Sequence, residues 1–423
     1  MIFQSLLTGF MIFIQIMILA YSVYGLVMAL YAFRKTPSAS PSDQQHRFAI
    51  LVAARNEAGV IGHLIDSLNQ QNYPRDLYTI FVIPNNCHDD TAAVAEKAGA
   101  TIMTCPLPIE KKGDVLNDAF LKISQSGAAY DAICVFDADN LVHPDFLSEM
   151  NQALAAGATI GQCYRDSKNP ADTGIAGSSA IYFWMLARFF NRARWAHNLS
   201  AAISGSGFMI RTSLIRKTYG FKTVTITEDL EMTMLSYLAD AHVTWVPRAI
   251  IFDEQPLSFS QSWQQRMRWT TGMYQIGRHY WKKIVVKCLQ ERSLQGMDMI
   301  TLCMTAHMQV LSFVALLAVG LLYIFTSKNG TAAASFMLLA SAGSALGTWL
   351  VCTSVAALTV KLEKHAILPF WKGILTFWIF IMSWLPINII CLFKRDLKWS
   401  PIEHSRTMRL QDLPMKSSLV DDE

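Results

Sequence analysis

The chain has 423 residues, of which 52% are hydrophobic and only 16% charged, a balance too apolar for an ordinary soluble protein of this size. Its net charge of +4 comes without a long basic run, so nucleic-acid binding has little support. The eight cysteines form no CxxC pair and have no zinc-ligand spacing, which indicates small core residues in a reducing compartment.

The chain begins with an almost uncharged apolar segment, residues 6–33, which is long enough to cross a bilayer. It has neither the positive start nor the small-residue cleavage site of a signal peptide. Arg34 and Lys35 follow it, and basic residues mark the cytoplasmic end of a span. We therefore expect residues 1–35 to anchor the protein in the plasma membrane, with the next domain in the cytoplasm.

Residues 46–257 are predicted to form an α/β domain. Short apolar runs rich in β-branched residues predict strands at 48–54, 78–83, 101–104 and 132–136, and helix-like stretches lie at 60–69, 90–98 and 113–123. This alternation predicts a mostly parallel sheet with helices on both faces, whose ligands bind beyond the carboxyl ends of the strands. Neither a P-loop nor a dinucleotide-binding fingerprint follows any of these strands.

Two later segments, residues 181–199 and 260–281, mix aromatic and basic side chains without enough apolar length to span a bilayer. Such a composition is typical of helices that lie in the headgroup plane, and it also suits helices packed on the sheet of a soluble domain. The first interpretation assigns residues 258–296 to amphipathic helices at the membrane surface.

Residues 297–393 are predicted to form a second membrane region, followed by a tail at 394–423. Segments 299–325 and 332–360 are two candidate spans separated by a short polar turn. The last apolar segment, 373–393, has Lys372 before it and Lys394 and Arg395 after it, so both flanks carry cytoplasmic charge. Either a break at residues 383–386 makes it a re-entrant or interfacial hairpin, or it is an ordinary span.

Two carboxylates stand one residue apart directly after the fourth predicted strand. Asp137 and Asp139 are able to hold a hard divalent cation that also binds phosphates, although acidic pairs are also common in solvated turns. Lys112 lies at the start of a helix, where a cation is unfavourable unless an anion is present. A phosphate would explain this lysine, and a surface position is the plain alternative.

A third group of candidates lies later in the chain. Asp229, in Thr-Glu-Asp before a predicted helix, is either a helix cap or a general base for an attacking hydroxyl. Arg268 and Trp269 are suited to phosphate oxygens and to a sugar face, respectively, and equally suited to anchoring a helix at the membrane interface.

Seven short motifs occur in a fixed order between residues 52 and 269: VAARNE, NNCHDD, KGDVLN, DAD, SGSGFMIR, TED and QRMRW. With membrane segments on both sides, this set resembles the membrane-bound inverting glycosyltransferases of family 2, the group that contains cellulose, hyaluronan and poly-N-acetylglucosamine synthases. The resemblance covers most of the chain, and it implies a GT-A type domain and transfer by one in-line displacement.

The resemblance also implies roles for individual residues. Those expected to bind the nucleotide sugar are Ala54, Asn56, Glu57, Asn85, Lys112, Asp137 and Arg268. Asp139 would hold Mg²⁺ or Mn²⁺, Asp229 would be the base with Glu228 beside it, and the acceptor would contact Gly205, Gln265 and Trp269. Asn85-Asn86 departs from the aspartate that many relatives have. Trp399, Ile402 and His404 resemble a loop that closes over the nucleotide, and a plain basic tail is the alternative.

Three functions are compatible with these features. The first, which the set of motifs favours, is processive polymerisation of a β-linked polysaccharide from a UDP-sugar, with a glucan narrowly favoured and with export of the polymer across the membrane. The second is transfer of one sugar to a membrane lipid. The third, a transporter or inactive scaffold, lacks the internal repeats and the charged residues within spans that a transporter would show. The partners we expect are the UDP-sugar, a polysaccharide or lipid acceptor, membrane lipids and an accessory or secretion subunit.

Overall fold

The computed structural model describes residues 2–36, 42–105, 111–127, 129–327, 329–394 and 408–413. Within these ranges the strands are β1 (Phe48–Ala54), β2 (Tyr78–Pro84), β3 (Thr101–Ile102), β4 (Ala132–Asp137), β5 (Leu141–Val142), β6 (Ile160–Ser167), β7 (Phe208–Arg211) and β8 (Val243–Asp253). They form one sheet in the order β3-β2-β1-β4-β7-β6-β8-β5.

The helices of the described residues fall into two groups. Those around the sheet are α2 (Ile61–Asn69), α3 (Thr91–Lys97), α4 (Lys112–Gln125), α5 (Phe146–Ala155), α6 (Gly174–Met185), α7 (Ala193–Ala196), α8 (Thr212–Thr218), α9 (Glu228–Leu238) and α10 (Phe259–Glu291). The longer or more apolar ones are α1 (Ile2–Leu30), α11 (Leu294–Thr326), α12 (Gly330–Leu362), α13 (Trp371–Met382) and α14 (Trp384–Phe393).

The predicted α/β domain is confirmed, and so is the covering of its sheet on both faces. Successive side chains of β1 point to opposite faces: Leu51 joins the apolar cluster beneath α4 and α6, while Ile50 and Val52 join the cluster beneath α2, α3 and α5. β1 pairs in parallel with β2 and β4, as the sequence predicts. The sheet is nevertheless mixed, because β7 is antiparallel to both β4 and β6, and β5 is antiparallel to β8.

Among the described residues, four helical segments are long and apolar enough to cross a membrane: Gly9–Phe33, Leu294–Ile324, Gly330–Leu362 and Leu368–Phe393. The fourth contains a junction at Ser383, inside the predicted break. Helical hydrogen bonds continue through it, from Ser383 N to Ile379 O (3.0 Å) and from Ile387 N to Ser383 O (3.4 Å). The segment is therefore one interrupted helix, and the hairpin that we considered does not form.

The two aromatic and basic segments lie between the sheet and the apolar helices. The first begins as α6 and continues through a π-helical stretch, Leu186–Arg192, into α7. The second is α10, which packs against α9, α11 and α14. Trp184 of α6 is fully buried and donates to Asp166 Oδ1 on β6 (2.9 Å), so this segment also packs on the sheet, as in the soluble-domain alternative.

A buried polar network joins α1, α7 and α11. The Arg194 guanidinium binds both carboxylate oxygens of Asp298 (2.8 and 2.9 Å), and the Tyr24 hydroxyl donates to Asp298 Oδ1 (2.7 Å). Because a buried charge is costly unless it is paired and hydrogen-bonded, this network fixes the end of α1 against the catalytic half of the chain.

Candidate active site

A cavity of about 460 Å³ lies at the carboxyl ends of β1, β2, β4 and β8, where ligands bind in sheets of this kind. Its polar half is lined by the ends of these strands and by the beginnings of α4 and α9. Its apolar half is formed by α6, the π-helical stretch, α10, α11 and α14. One cavity therefore joins the sheet to the helices that are candidates for membrane contact.

Lys112 and Asp137 form an ion pair at the centre of the polar half. Lys112 Nζ lies 2.5 Å from Asp137 Oδ1, 3.0 Å from the Gly205 carbonyl oxygen and 3.4 Å from Glu228 Oε1. Burial by itself would raise the pKa of the Asp137 carboxyl, but the Lys112 ammonium outweighs it and holds that pKa below its ordinary value. The pair is therefore ionised and offers both charges to a ligand.

The close approach of α4 to the rest of the site depends on Gly113. A Cβ built on this glycine would lie 2.1 Å from Thr223 Oγ1 and 3.3 Å from the Glu228 Cβ. Only a residue without a side chain lets the beginning of α4, and with it Lys112, reach the loop that precedes α9.

The residues around Asp139 suit a divalent cation held mainly by a nucleotide. Asp139 lines the cavity beside Asp137, and the Lys168 ammonium binds its backbone oxygen. No group of three or more His, Cys, Asp or Glu side chains in the described ranges forms a complete metal site. Mg²⁺ and Mn²⁺ sites with one or two protein carboxylates take their other ligands from phosphates and water, so Asp139 and Asp137 fit such an ion.

Asp253 and Arg165 are two site residues that the sequence analysis missed. Asp253 ends β8 and accepts hydrogen bonds from Arg165 Nε (2.6 Å) and Asn140 Nδ2 (2.6 Å). Burial raises the pKa of Asp253 to about 6, although Arg165 opposes the shift. The strand-end rule would have found Asp253 if β8 had been recognised; no local pattern marks Arg165, whose partners lie far away in sequence.

Asp229 lies in the first turn of α9 and faces the middle of the cavity. The hydroxyl of Thr227, which precedes the helix, makes no capping hydrogen bond. A Cβ built on Gly205, whose φ is +76°, would lie 3.5 Å from Asp229 Oδ2, so the SGSG turn passes directly beside this carboxylate. Burial, reinforced by Glu228, raises the pKa of Asp229 to about 6. A carboxylate with this pKa suits a general base near neutral pH.

Glu231 connects the beginning of α9 to α10. Its buried carboxylate accepts hydrogen bonds from the backbone N–H groups of Val224 (2.8 Å) and Thr225 (2.7 Å) and from the Tyr280 hydroxyl (2.6 Å). Since Tyr280 belongs to α10, the carboxylate holds the loop before Asp229 against the helix that carries the QRMRW motif.

The QRMRW motif contributes Gln265, Arg268 and Trp269 to the cavity wall. Arg268 has no hydrogen-bond or ion-pair partner within the described ranges, and its charge acts on Asp137 to lower the pKa of that carboxyl, after the larger effect of Lys112. Trp269 lies between Phe183 (5.8 Å between ring centroids) and Trp384 of α14 (6.3 Å). An unpaired guanidinium and an aromatic wall therefore stand side by side.

The predicted nucleoside-binding residues separate into two sets. Ala54, Glu57 and Asn85 line the cavity, and the buried Asn85 Oδ1 lacks a hydrogen-bond partner in the described part of the chain. Asn56 does not line it: its backbone is left-handed (φ 58°), and its exposed side chain accepts a hydrogen bond from His88 N (2.8 Å). The three tail residues Trp399, Ile402 and His404 lie outside the described residues.

A mixed sheet with Asp137 and Asp139 at a strand end, and with Lys112 and Arg268 beside the same cavity, is the arrangement expected of the GT-A fold. The solved structure of the mannosyltransferase PcManGT from Pyrobaculum calidifontis, in complex with GDP-Man and Mn²⁺, covers 92% of this chain and is itself covered to 99%, with a TM-score of 0.59 at 15% identity. At this identity the likeness supports the fold.

The family model described as "Glycosyltransferase like family 2" matches residues 46–272, more than half of the chain, and the protein belongs to this family. The predicted family is therefore confirmed. Its candidate spanning helices associate it with a membrane.

Several curated relatives match the same region. The probable glycosyltransferase YdaM of Bacillus subtilis is 28% identical over 53% of this chain and 55% of its own length. A beta-monoglucosyldiacylglycerol synthase of Synechocystis is 25% identical over 56% of this chain and 49% of its own length. A poly-beta-1,6-N-acetyl-D-glucosamine synthase of Staphylococcus epidermidis is 22% identical over 63% of this chain and 66% of its own length. The chain spans about half the length of the first two.

Proposed function

We propose that this protein transfers a hexosyl group from a UDP-sugar, with inversion, to a hydroxyl group of a membrane lipid. The cavity supports the proposal, because the Asp229 carboxylate lines it together with a charged half suited to a nucleotide diphosphate and an apolar half suited to a lipid. A Mg²⁺ or Mn²⁺ ion held by Asp139 would neutralise charge that develops on the diphosphate leaving group.

The donor would occupy the polar half. Glu57, Asn85 and the backbone at Ala54 would contact the nucleoside, since they lie at the ends of β1 and β2. The free Asn85 amide oxygen is an acceptor for the imide N–H of uracil, which supports a uridine nucleotide. Lys112 and Arg268 would bind the diphosphate oxygens, which are the natural partners of cations that approach from opposite sides.

Asp229 would remove the proton from the attacking hydroxyl. It faces the cavity beyond the Lys112–Asp137 pair, and its raised pKa keeps it both ionised and basic at neutral pH. One displacement needs no enzyme nucleophile, so a single base on the acceptor side is sufficient for inversion. Glu228, which lies next to Lys112, would keep the ammonium in place and is not required as a second base.

The acceptor half of the cavity favours a lipid. Its wall is mostly apolar and aromatic and consists of Ile203, Tyr182, Phe183, Leu186, Phe190, Met273, Leu302 and Trp384. Leu302 belongs to α11 and Trp384 to α14, both of which are candidate membrane helices. A lipid whose hydroxyl reaches Asp229 would leave its chains against these helices. The glucosyldiacylglycerol synthases among the relatives act, by their name, on such an acceptor.

The second candidate is processive synthesis of a β-linked polysaccharide, with a glucan favoured over other polymers. The specific observation is Trp269, whose ring is held between Phe183 and Trp384 at the cavity wall and offers a stacking face for a terminal sugar. The poly-N-acetylglucosamine synthases among the relatives make a polymer by name. In that case Gln265 and Gly205 would contact the sugar that receives the next unit.

Product size separates the two functions. Purified protein is incubated with Mg²⁺ or Mn²⁺ and each common UDP-sugar, in vesicles with or without diacylglycerol. A product that needs the lipid, extracts into organic solvent and carries one sugar is expected. A lipid-independent, water-soluble polymer would establish the second candidate instead. Asp229→Asn serves as the inactive control for both assays.

A further inference from the structure

We propose that α13 and α14 do not cross the membrane: they lie against the lipid headgroups on the catalytic domain's side, the side on which the segment Met408–Leu413 also lies. The proposal concerns the path of the chain, and it does not rest on the identity of the acceptor. It is carried by the contacts of α11, α12, α13 and α14 and of residues 408–413.

The first step is that α11 and α12 leave the catalytic domain and return to it. Near its start α11 packs against α9 and α10 through Met299 and Cys303. The end of α12 returns to the domain: Glu363 accepts hydrogen bonds from the Tyr164 hydroxyl of β6 (2.7 Å) and from Arg188. The chain is therefore back at the level of the sheet when α13 begins.

The second step is that the beginning of α13 is held by α6. The two backbones touch where Gly177 meets Gly373: a Cβ built on Gly373 would lie 2.7 Å from the Gly177 Cα. Ser178 Oγ donates to the Gly373 carbonyl oxygen (3.0 Å), and Thr376 Oγ1 donates to the Gly174 carbonyl oxygen (3.0 Å). These are contacts with the first turns of α6, which follows β6 and belongs to the catalytic domain.

The third step is that the end of α13, the junction at Ser383 and α14 are all held by α10, the helix that carries the QRMRW motif. Arg266 Nη1 donates to the Phe380 carbonyl oxygen (2.7 Å) and to Ser383 Oγ (2.6 Å). The Tyr274 hydroxyl donates to the Asn388 carbonyl oxygen (3.2 Å). Arg266 stands two residues before Arg268, which lines the cavity. A crossing helix of this length would move about 30 Å away from the level of the cavity, because each residue adds about 1.5 Å.

The exposed face of these two helices is an apolar stripe that fits a lipid surface. It consists of Leu368, Trp371, Leu375, Ile379, Met382, Ile390 and Phe393, whose members up to Met382 are spaced three or four positions apart. The opposite face is buried against the protein, through Phe377, Phe380 and Ile387 among others. The two helices therefore pack one face on the protein and leave an apolar face that suits contact with lipid.

The last step is the position of the segment Met408–Leu413. Leu410 and Leu413 are buried in the apolar cluster that covers one face of the sheet. Arg409 and Gln411 line a small cavity together with His63 and Gln70 of α2 or its end. Both the end of α12 and this segment lie on the catalytic domain. The chain between them therefore cannot cross the membrane an odd number of times. Lys372 and Lys394, at the two ends of the helix pair, then both face the same aqueous side.

Protease accessibility tests the path. An epitope is placed after Glu423 in one full-length variant and in the turn between α11 and α12 in another, and an antibody reports the catalytic domain. Two membrane preparations of opposite orientation, inverted vesicles and spheroplasts, are treated with proteinase K. We expect the C-terminal epitope to be removed in the preparation in which the catalytic domain is digested. The turn epitope should be removed in the other preparation. Cleavage of the C-terminal epitope together with the turn epitope would overturn the proposal.

A pair of substitutions tests the orientation of the helices independently of the epitopes. Ile379 lies near the middle of Leu368–Phe393, where a lysine in a true span would sit at the centre of the bilayer. On an interfacial helix the same lysine reaches the headgroups. We expect the amount of membrane-integrated Ile379→Lys protein to be within twofold of that of the parent. Phe377→Lys, on the buried face, should lower that amount strongly. A tenfold loss for Ile379→Lys would contradict the proposal.

Discussion

Gly272 of α10 lies directly against Thr227, the residue before α9. A Cβ built on Gly272 would lie 2.1 Å from Thr227 Oγ1 and 2.7 Å from the Thr227 Cβ. The backbone of the helix that carries Arg268 and Trp269 thus packs directly on the side chain of the residue before α9. The position of Asp229, the proposed base, relative to Arg268 depends on this contact.

Gly272→Ala is the direct test of that contact. We expect a loss of activity of tenfold or more and a destabilisation of about 1–3 kcal/mol, because a methyl group there has no room. Gly277→Ala is the matched control on the same helix, since its Cβ would meet only His307 Cε1, at 3.8 Å. The control should be neutral or slightly more stable, as alanine is the better helix former. Equal activity of both variants would show that the close packing is unimportant.

The two arginines of the QRMRW motif are expected to fail in different ways. Arg268 points into the cavity without a partner in the described ranges, so Arg268→Ala should lower kcat/KM for the UDP-sugar by about 10²-fold or more while the melting temperature stays unchanged. Arg266 is fully buried and bound to α13 and Ser383, so Arg266→Ala should lower the melting temperature. Thermal unfolding and kinetics with the UDP-sugar are measured for both variants. A lower melting temperature for Arg268→Ala and a lower kcat/KM alone for Arg266→Ala would contradict these roles.

The pH dependence of kcat/KM should follow Asp229. A base must be deprotonated to act, and burial raises its pKa to about 6, so activity should be full near pH 7.5 and fall as the pH drops through about 6. An ordinary carboxyl would hold activity down to about pH 4. Asp229→Asn should lower kcat by about 10²–10⁴-fold and leave UDP binding largely intact. An acid limb near pH 4 would exclude Asp229 as the titrating base.

Removal of the proposed metal carboxylate gives a prediction that does not depend on turnover. Asp139→Asn should weaken binding of Mn²⁺ in the presence of UDP, measured by calorimetry or electron paramagnetic resonance, by tenfold or more, since a carboxylate is the harder ligand. Asp131, an exposed carboxylate whose Oδ2 accepts the Arg47 N–H, offers a control in Asp131→Asn. Unchanged Mn²⁺ binding by the Asp139 variant would remove this residue from the metal site.

The parts of the fold that the sequence predicted are those with strong local patterns. β1 and β4 are buried on both faces and β2 is partly buried on one of its faces, so all three read as continuous apolar runs, and polar residues at their ends line one cavity. β5 and β7 have two and four residues, too few for a pattern, and their pairing is set by distant partners. β8 is longer but was not recognised from the sequence, and Asp253 at its end was therefore missed.

Site residues at the ends of regular strands and helices were predicted correctly to line the cavity. Residues whose side-chain direction depends on the conformation of a turn were not. Lys112, Asp137 and Asp229 each follow from a helix start or a strand end, and the structure brings them to one cavity. Asn56 belongs to the same motif as Glu57, but a left-handed backbone turns it away from the cavity, which spacing alone does not reveal. Trp384 joins the cavity from α14, more than a hundred residues after Trp269, and no local signal marks it.

The hydrogen bond between Tyr24 and Asp298 joins residues 274 positions apart. During biosynthesis the first apolar helix is therefore made long before the carboxylate that its tyrosine binds. Arg194, which completes the network, is also translated before Asp298. The contact that fixes the end of α1 against α11 forms only after α11 has been made. Late assembly of this kind makes the first helix sensitive to substitutions in α11, a dependence that pulse-labelled protease protection would detect.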